Sequence, residues 1–279
     1  MSNKTGTQDY LLLRWSAITV CLGLGLTGLL HDLPLRALVW DTNWWQWFAT
    51  LLGYEWTDWV TSESVDQKIN LVTRLMGGLA LLSGLLILFR KWMLQAVISV
   101  SIFLLLQHFL LWKEHFWNLG HLLELSLQTG APLLFFWWHK LSLTNADKSR
   151  FWRVVRILTA MTFVGHGLYA AGYHPVPANF VLMTQAGLGV GEATARNLLF
   201  IIGILDFLAA GLLLLPYRRS WIIALCWIIP WALLTTFARF WSYGGLVEMH
   251  TLLTQWGPEV LRRGPHVLVP LALFLYVRE

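Results

Sequence analysis

Charge is scarce in this sequence. Asp, Glu, Lys and Arg make up 13% of 279 residues, about half the share found in soluble domains, which argues against a water-soluble fold. Disorder is excluded as well, because a disordered chain is poor in apolar residues and rich in charge. Cysteine is nearly absent. Cys21 and Cys226 lie in apolar runs and form no Cys-x-x-Cys pair, so neither a disulfide scaffold nor a local thiol–disulfide motif is present. The net charge of +5 gives no argument for a nucleic-acid partner, since the orientation rule for membrane proteins accounts for an excess of Lys and Arg.

What the chain has in excess is apolar surface. Hydrophobic residues make up 57%, 18 residues are Trp and the mean hydropathy is +0.58. Tryptophan concentrates where hydrocarbon meets headgroup, and a span takes about 20 apolar residues. Apolar runs predict spans at 11–30, 70–89, 92–112, 118–138, 152–172, 197–216 and 220–240. A weaker eighth near 259–277 is interrupted by Arg262, Arg263, Pro265 and Pro270 and reads as a broken helix. The fold class is all-α, a polytopic membrane bundle of seven to eight transmembrane helices. The polar opening Met1 to Tyr10 has no cleavage site after it, which predicts that the first span is retained.

Basic residues orient the bundle. Arg14, Arg90, Lys91, Lys140, Arg153, Arg156, Arg218, Arg219 and Arg278 fall on one side, mostly in short connections, and the positive-inside rule makes that side cytoplasmic, together with the N-terminus. Long outer segments remain at 31–69, 173–195 and 241–258. In the first, Trp44, Trp47, Leu51, Trp56 and Trp59 recur at helical spacing within 41–62. This pattern fits a helix lying in the interface or a lid packed on the bundle, since both need an apolar face.

The two halves echo each other. Arg14-Trp-Ser-Ala-Ile-Thr opens a span ending at His31, and Arg156-Ile-Leu-Thr-Ala-Met opens one ending at His174. Gly84 before the basic turn at Arg90 matches Gly211 before that at Arg218, and His121 before Pro132 pairs with His250 before Pro265. The division is 1–140 and 141–279, two parallel four-helix repeats. Over 152–240, Phe163-Val-Gly-His-Gly-Leu-Tyr, an outer segment, Ile202-Gly-Ile-Leu-Asp-Phe-Leu-Ala-Ala-Gly-Leu and a basic turn resemble the DoxX-like group of four-helix bacterial membrane proteins. The resemblance implies a bacterial inner-membrane helical bundle linked to quinone-coupled or sulfur-related redox assemblies, such as a thiosulfate:quinone oxidoreductase, with a membrane or periplasmic redox partner.

A few polar residues inside apolar runs carry the functional signal. Asp206 lies near the middle of the sixth span, where an unpaired charge costs several kcal/mol. It reads as a proton carrier or ligand group with His166 as its partner, or as a neutral acid serving helix packing. His121, Glu124, Gln128, Pro132, Phe135 and His139 share one helical face, which must look toward protein or water. His108 and His115 on the third span join that face only if the fold brings them there. Together these residues fit a metal site weakly, because the order His-x-x-Glu reverses the Glu-x-x-His of helical bundles, and otherwise read as satisfied polar packing.

Haem clamped by two of the nine histidines is a further use. His31 and His174 read as caps at span ends. Arg239, Glu248 and His250 form a third group, either turned into an outer-half cavity with His121, Glu124 and Asp206 or paired on the surface. Gly165, Gly167 and Gly172 indicate close helix contact rather than a phosphate loop. The resulting expectation is an outer-half polar site in a quinone-, haem- or metal-linked redox system. Its rivals are a proton-coupled transporter and a non-catalytic assembly subunit docking through the Trp-rich segment.

Overall fold

The computed structural model describes residues 5–144 and 147–278, and among them all regular structure is helical. The first half contains α1 (Thr5–Leu30), α2 (Arg36–Val39), α3 (Thr42–Leu51), α4 (Trp56–Thr61), α5 (Glu63–Phe89), α6 (Met93–Glu114), α7 (Leu119–Glu124) and α8 (Ser126–Ser142). The second contains α9 (Ser149–Ala170), α10 (Ala178–Leu188), α11 (Glu192–Leu214), α12 (Arg218–Tyr243), α13 (Met249–Arg262) and α14 (Gly264–Arg278).

Six segments are long and apolar enough to cross a bilayer: Gln8–Leu30, Glu63–Phe89, Met93–Glu114, Glu192–Leu214, Arg218–Tyr243 and Met249–Arg278. Their outward faces are what water would reject and lipid accepts. Leu71, Leu75, Leu79 and Leu82 on α5, with Phe200, Ile201, Ile204 and Leu208 on α11, are 41–59% exposed. The chain is a multi-pass integral membrane protein.

Two expected spans are not among these six. The stretch 118–138 is divided at Leu125 into α7 and α8, while 152–172 falls on α9, which enters with Arg150, Arg153 and Arg156. Conversely, the weak eighth segment is the second part of the 30-residue stretch Met249–Arg278. Its arginines interrupt the apolar run because they are turned toward protein, so composition alone understates it.

Helices α1 and α9 lie innermost. Leu13, Ala17, Val20, Cys21 and Leu24 of α1 are fully buried, as are Phe151, Val155, Thr159, Thr162 and Phe163 of α9. Helix α1 packs on α5 and α8 and on the α13–α14 pair of the other half; α9 packs on α11 and α14 and on α7 and α8 of the first half. The two crossings are built alike. A Cβ added at Gly165 would collide with the backbone of Gly120 and Glu124, and one at Gly23 with that of Pro258 and Arg262. At the other end, Arg14 donates to the Leu88 carbonyl, and Arg156 to those of Leu213 (3.3 Å) and Leu215 (3.4 Å).

The Trp-rich segment folds into α3 and α4. Asp41 caps α3 by accepting from the Trp44 N–H at 3.1 Å, and Ala49 and Trp59 are buried against the bundle. Lys113 at the outer end of α6 ties the segment down, donating to the Ala37 carbonyl (2.8 Å) and to Asp41 Oδ2 (2.5 Å). Trp47, Leu51 and Leu52 stay more than half exposed. The segment is thus packed on one face and apolar on the other, as an interfacial element needs to be.

Two outcomes follow from this packing. Gly165→Leu forces α7 and α9 apart and should lower stability by about 1–3 kcal/mol, whereas Gly257→Ala, where an added Cβ meets nothing within 4 Å, should be silent; thermal unfolding in detergent compares them. The Lys113 ammonium bonded to Asp41 holds that carboxyl below its ordinary value of 3.8. A depressed folded pKa gives stability that is present above the unfolded value and lost as pH falls through the folded one. The Trp-rich segment should therefore stay docked at pH 5 and loosen only below about pH 4, read by hydrogen exchange over 41–62, and Asp41→Asn should remove that pH dependence.

Candidate functional site

The helix pairs α7–α8 and α13–α14 are both broken, and polar side chains gather at the breaks. In the first half, α7 stops at Glu124 and α8 resumes at Ser126; the Leu127 N–H at this junction donates to Thr162 Oγ on α9 at 3.2 Å. In the second half, α13 stops at Arg262 and α14 resumes at Gly264 with Pro265 in its first turn. Proline has no N–H to give and suits a helix start, so the chain restarts there at little cost.

On α7, His121 Nδ1 lies 3.1 Å from Glu124 Oε1, and the His115 ring stacks on His121 with centroids 4.1 Å apart. Glu124 also lies in the field of His166 on α9 and of Arg263. His166 meets His266 of α14 edge to face at 5.5 Å. From the third span, His108 Nδ1 bonds the Thr129 hydroxyl, and that hydroxyl donates to the Leu125 carbonyl at 3.0 Å. On α13, Glu259 Oε1 holds Arg239 Nη2 at 2.8 Å and Arg263 Nε at 3.3 Å.

These groups are enclosed, yet several have no partner. His108, His121, Gln128 and His266 are each at least nine-tenths buried. Among the described residues His108 Nε2, His121 Nε2, Gln128 Oε1 and His266 Nε2 make no hydrogen bond. Buried polar atoms are ordinarily satisfied, so these four stand out as open hydrogen-bonding positions. Beside it, a groove of about 810 Å³ runs between α6, α8 and α9, lined by Leu105, His108, Phe109, Trp112, Leu133 and Trp137 among others. Apart from His108, Ser126 and Thr129 its walls are apolar or glycine.

The structure gathers most of the expected residues and relocates the rest. His121, Glu124, Gln128, His166, His108, His115 and Arg239 come to the region of the breaks. His139 of the expected stripe goes to the other end, near the Tyr10 hydroxyl at 3.4 Å. Glu248 and His250 are exposed and do not turn into the bundle; Glu259 takes their place beside Arg239. His174 acts as a cap, accepting from the Gly120 N–H at 3.2 Å at the start of α7, and His31 reaches the Thr254 carbonyl at 2.8 Å. Glu259, Arg262, Arg263 and His266 were not picked out as site residues from sequence, although charges inside an apolar run are the signal that marked Asp206.

Asp206 stands apart. It is buried, and its Oδ1 accepts from Trp227 Nε1 at 2.9 Å, with Trp231 stacked on Trp227 at 5.7 Å. The indole takes the part foreseen for His166, and the acid joins α11 to α12. The residues at the breaks also fit neither metal nor haem well. Among the described residues no three His, Cys, Asp or Glu side chains gather as a ligand set. The histidine pairs 115/121 and 166/266 have their rings in mutual contact, so a porphyrin cannot stand between either pair.

For Asp206, an amide oxygen can replace the carboxylate as acceptor, so Asp206→Asn should leave thermal stability nearly unchanged. Asp206→Leu strands the indole N–H and should cost about 1–3 kcal/mol, measured by thermal unfolding in detergent. No protein-family model, curated protein or solved structure matches the chain.

Proposed function

We propose that the chain serves a quinone-linked redox system and binds a lipid-soluble, quinone-type ring in the groove at His108. The observation that carries this reading is the position of that histidine, in an apolar and aromatic groove on one side and within the field of His121 and Arg262 on the other. Because Thr129 gives its proton to Leu125, it accepts from His108 Nδ1–H, which leaves Nε2 as the basic nitrogen. That nitrogen is buried and without a partner and suits the hydroxyl of a hydroquinone; the His121–Glu124 pair, whose imidazole acts on His108 electrostatically, is our candidate for the next proton acceptor. The apolar walls and the rings of Phe109, Trp112 and Trp137 suit the ring and its isoprenoid tail.

The wider reading is that of a DoxX-like protein made of two fused four-helix units, seated in a bacterial inner membrane with its N-terminus cytoplasmic. The like crossings at Gly23 and Gly165 and the like bonds from Arg14 and Arg156 support the duplication. The placing of Arg90 and Lys91 in the turn after α5, and of Arg218 and Arg219 at the start of α12 just after another short connection, supports the orientation.

Saturable quenching of tryptophan fluorescence by a short-chain ubiquinone, titrated into the detergent-purified protein, tests the binding. Leu133→Trp, which fills the groove, and His108→Leu should each weaken it about tenfold. Quenching that is linear and equal in all three proteins overturns the proposal. A carrier is the second reading, favoured by the paired helix breaks with charged groups beside them. Saturable, proton-dependent uptake into proteoliposomes that Glu124→Gln abolishes would establish the carrier in place of the quinone protein.

A further inference from the structure

The outer half of the bundle holds more positive charge than its own carboxylates balance, and the quinone reading uses only the field of Arg262 at His108. Three guanidinium groups, those of Arg239, Arg262 and Arg263, lie in one another's field. The carboxylates facing them are Glu259, shared by Arg239 and Arg263, and Glu124, already in contact with His121. The remaining groups around them are His108, His166, His266, Trp256, with the Arg239 guanidinium 5.2 Å from its ring centre, and Tyr243.

Arg262 is the telling residue. Its guanidinium makes no hydrogen bond or ion pair among the described residues, and its Nε is buried without a partner. Arg239 is 5% exposed and directs one nitrogen to Glu259, while its Nε is likewise buried and unpartnered. An arginine nitrogen can only donate, and an unpaired cation inside a membrane protein is expensive. Such a cluster has a deficit of acceptors and of negative charge. A compact oxyanion corrects both at once, because two oxygens of a phosphate or carboxylate match the guanidinium fork.

We propose that Arg239, Arg262 and Arg263, at the junction of α13 and α14, bind a phosphate-type oxyanion, with Arg262 as its principal donor. The half-open side of the cluster is at Glu259, whose side chain is 25% exposed, and Arg263, at 16%. The oxyanion comes either from water as a free anion or from the headgroup of an anionic lipid. The site takes none of its donors from the groove, and although Arg262 lies in the field of His108, phosphate binding is read separately from quinone binding.

The test is thermal unfolding of the full chain in neutral detergent, titrated with inorganic phosphate at ionic strength held constant with chloride. The wild type should show a saturable rise in Tm. Arg262→Gln should need about tenfold more phosphate and be more stable than the wild type when no anion is present, because it relieves repulsion. Arg262→Lys, which keeps the charge without the fork, should fall between them, and the exposed Arg196→Gln should respond as the wild type. Lipid nanodiscs separate the sources. If phosphatidylglycerol discs give the gain without phosphate and phosphate adds nothing, the headgroup is the occupant; an equal phosphate response in phosphatidylcholine and phosphatidylglycerol discs assigns a free anion. The proposal is overturned if neither phosphate nor phosphatidylglycerol stabilises the wild type, or if Arg262→Gln responds to phosphate as the wild type does.

Discussion

The bundle depends on two backbone crossings, α9 over α7 at Gly165 and α1 over α13 at Gly23. In lipid there is no hydrophobic drive to press one helix against another, so association rests on close packing and on hydrogen bonds made where backbones approach. Each crossing joins a helix of one half of the chain to a broken helix pair of the other half. Together they lock the halves into one body, and they hold the ends of α7 and α13 where the chain must bend. The helix breaks, and therefore the polar groups beside them, are set by this contact.

Enclosure follows from the same arrangement. With α1 and α9 at the centre, the helices that bear Arg, Glu and His at the breaks can turn those groups inward, and the remaining faces are left to leucine, isoleucine and phenylalanine against lipid. The groove between α6, α8 and α9 approaches this interior from the lipid side at His108, and the half-exposed Glu259 and Arg263 approach it from the α13 side. One polar region thus has an apolar approach and a polar one, a layout that suits a lipid-soluble partner on one side and a charged ligand on the other.

Asp206 and Arg262 show why a single polar residue in an apolar run is an ambiguous sign. Both interrupt a span, and the cost of placing charge in hydrocarbon flags both. One carboxylate oxygen of Asp206 accepts from the Trp227 indole of the adjacent helix, which makes the acid a joint between spans although its Oδ2 stays unpartnered, while Arg262 has no such bond at all. The difference lies in what stands opposite, which is a property of helix packing. For the same reason the His121 face was readable from its spacing, whereas Glu259 as the partner of Arg239 was not. Glu248 and His250 are nearer to Arg239 along the chain, but α13 carries the acid inward only after they have passed the surface.

By itself the sequence determined that this is an all-helical membrane protein. Long apolar runs permit little else once backbone hydrogen bonds have to be satisfied inside the segment that spans lipid. It also determined the face of His121, Glu124 and Gln128, because helical periodicity is local. Tertiary structure alone decided that the stretch 118–138 breaks at Leu125, that α1 and α9 lie innermost, and which polar groups share a site; the break at Arg263 was already readable from Arg262, Arg263 and Pro265. Those tertiary outcomes depend on contacts between different helices, such as Gly165 with Gly120 and Gly23 with Arg262, and no periodicity along the chain encodes them.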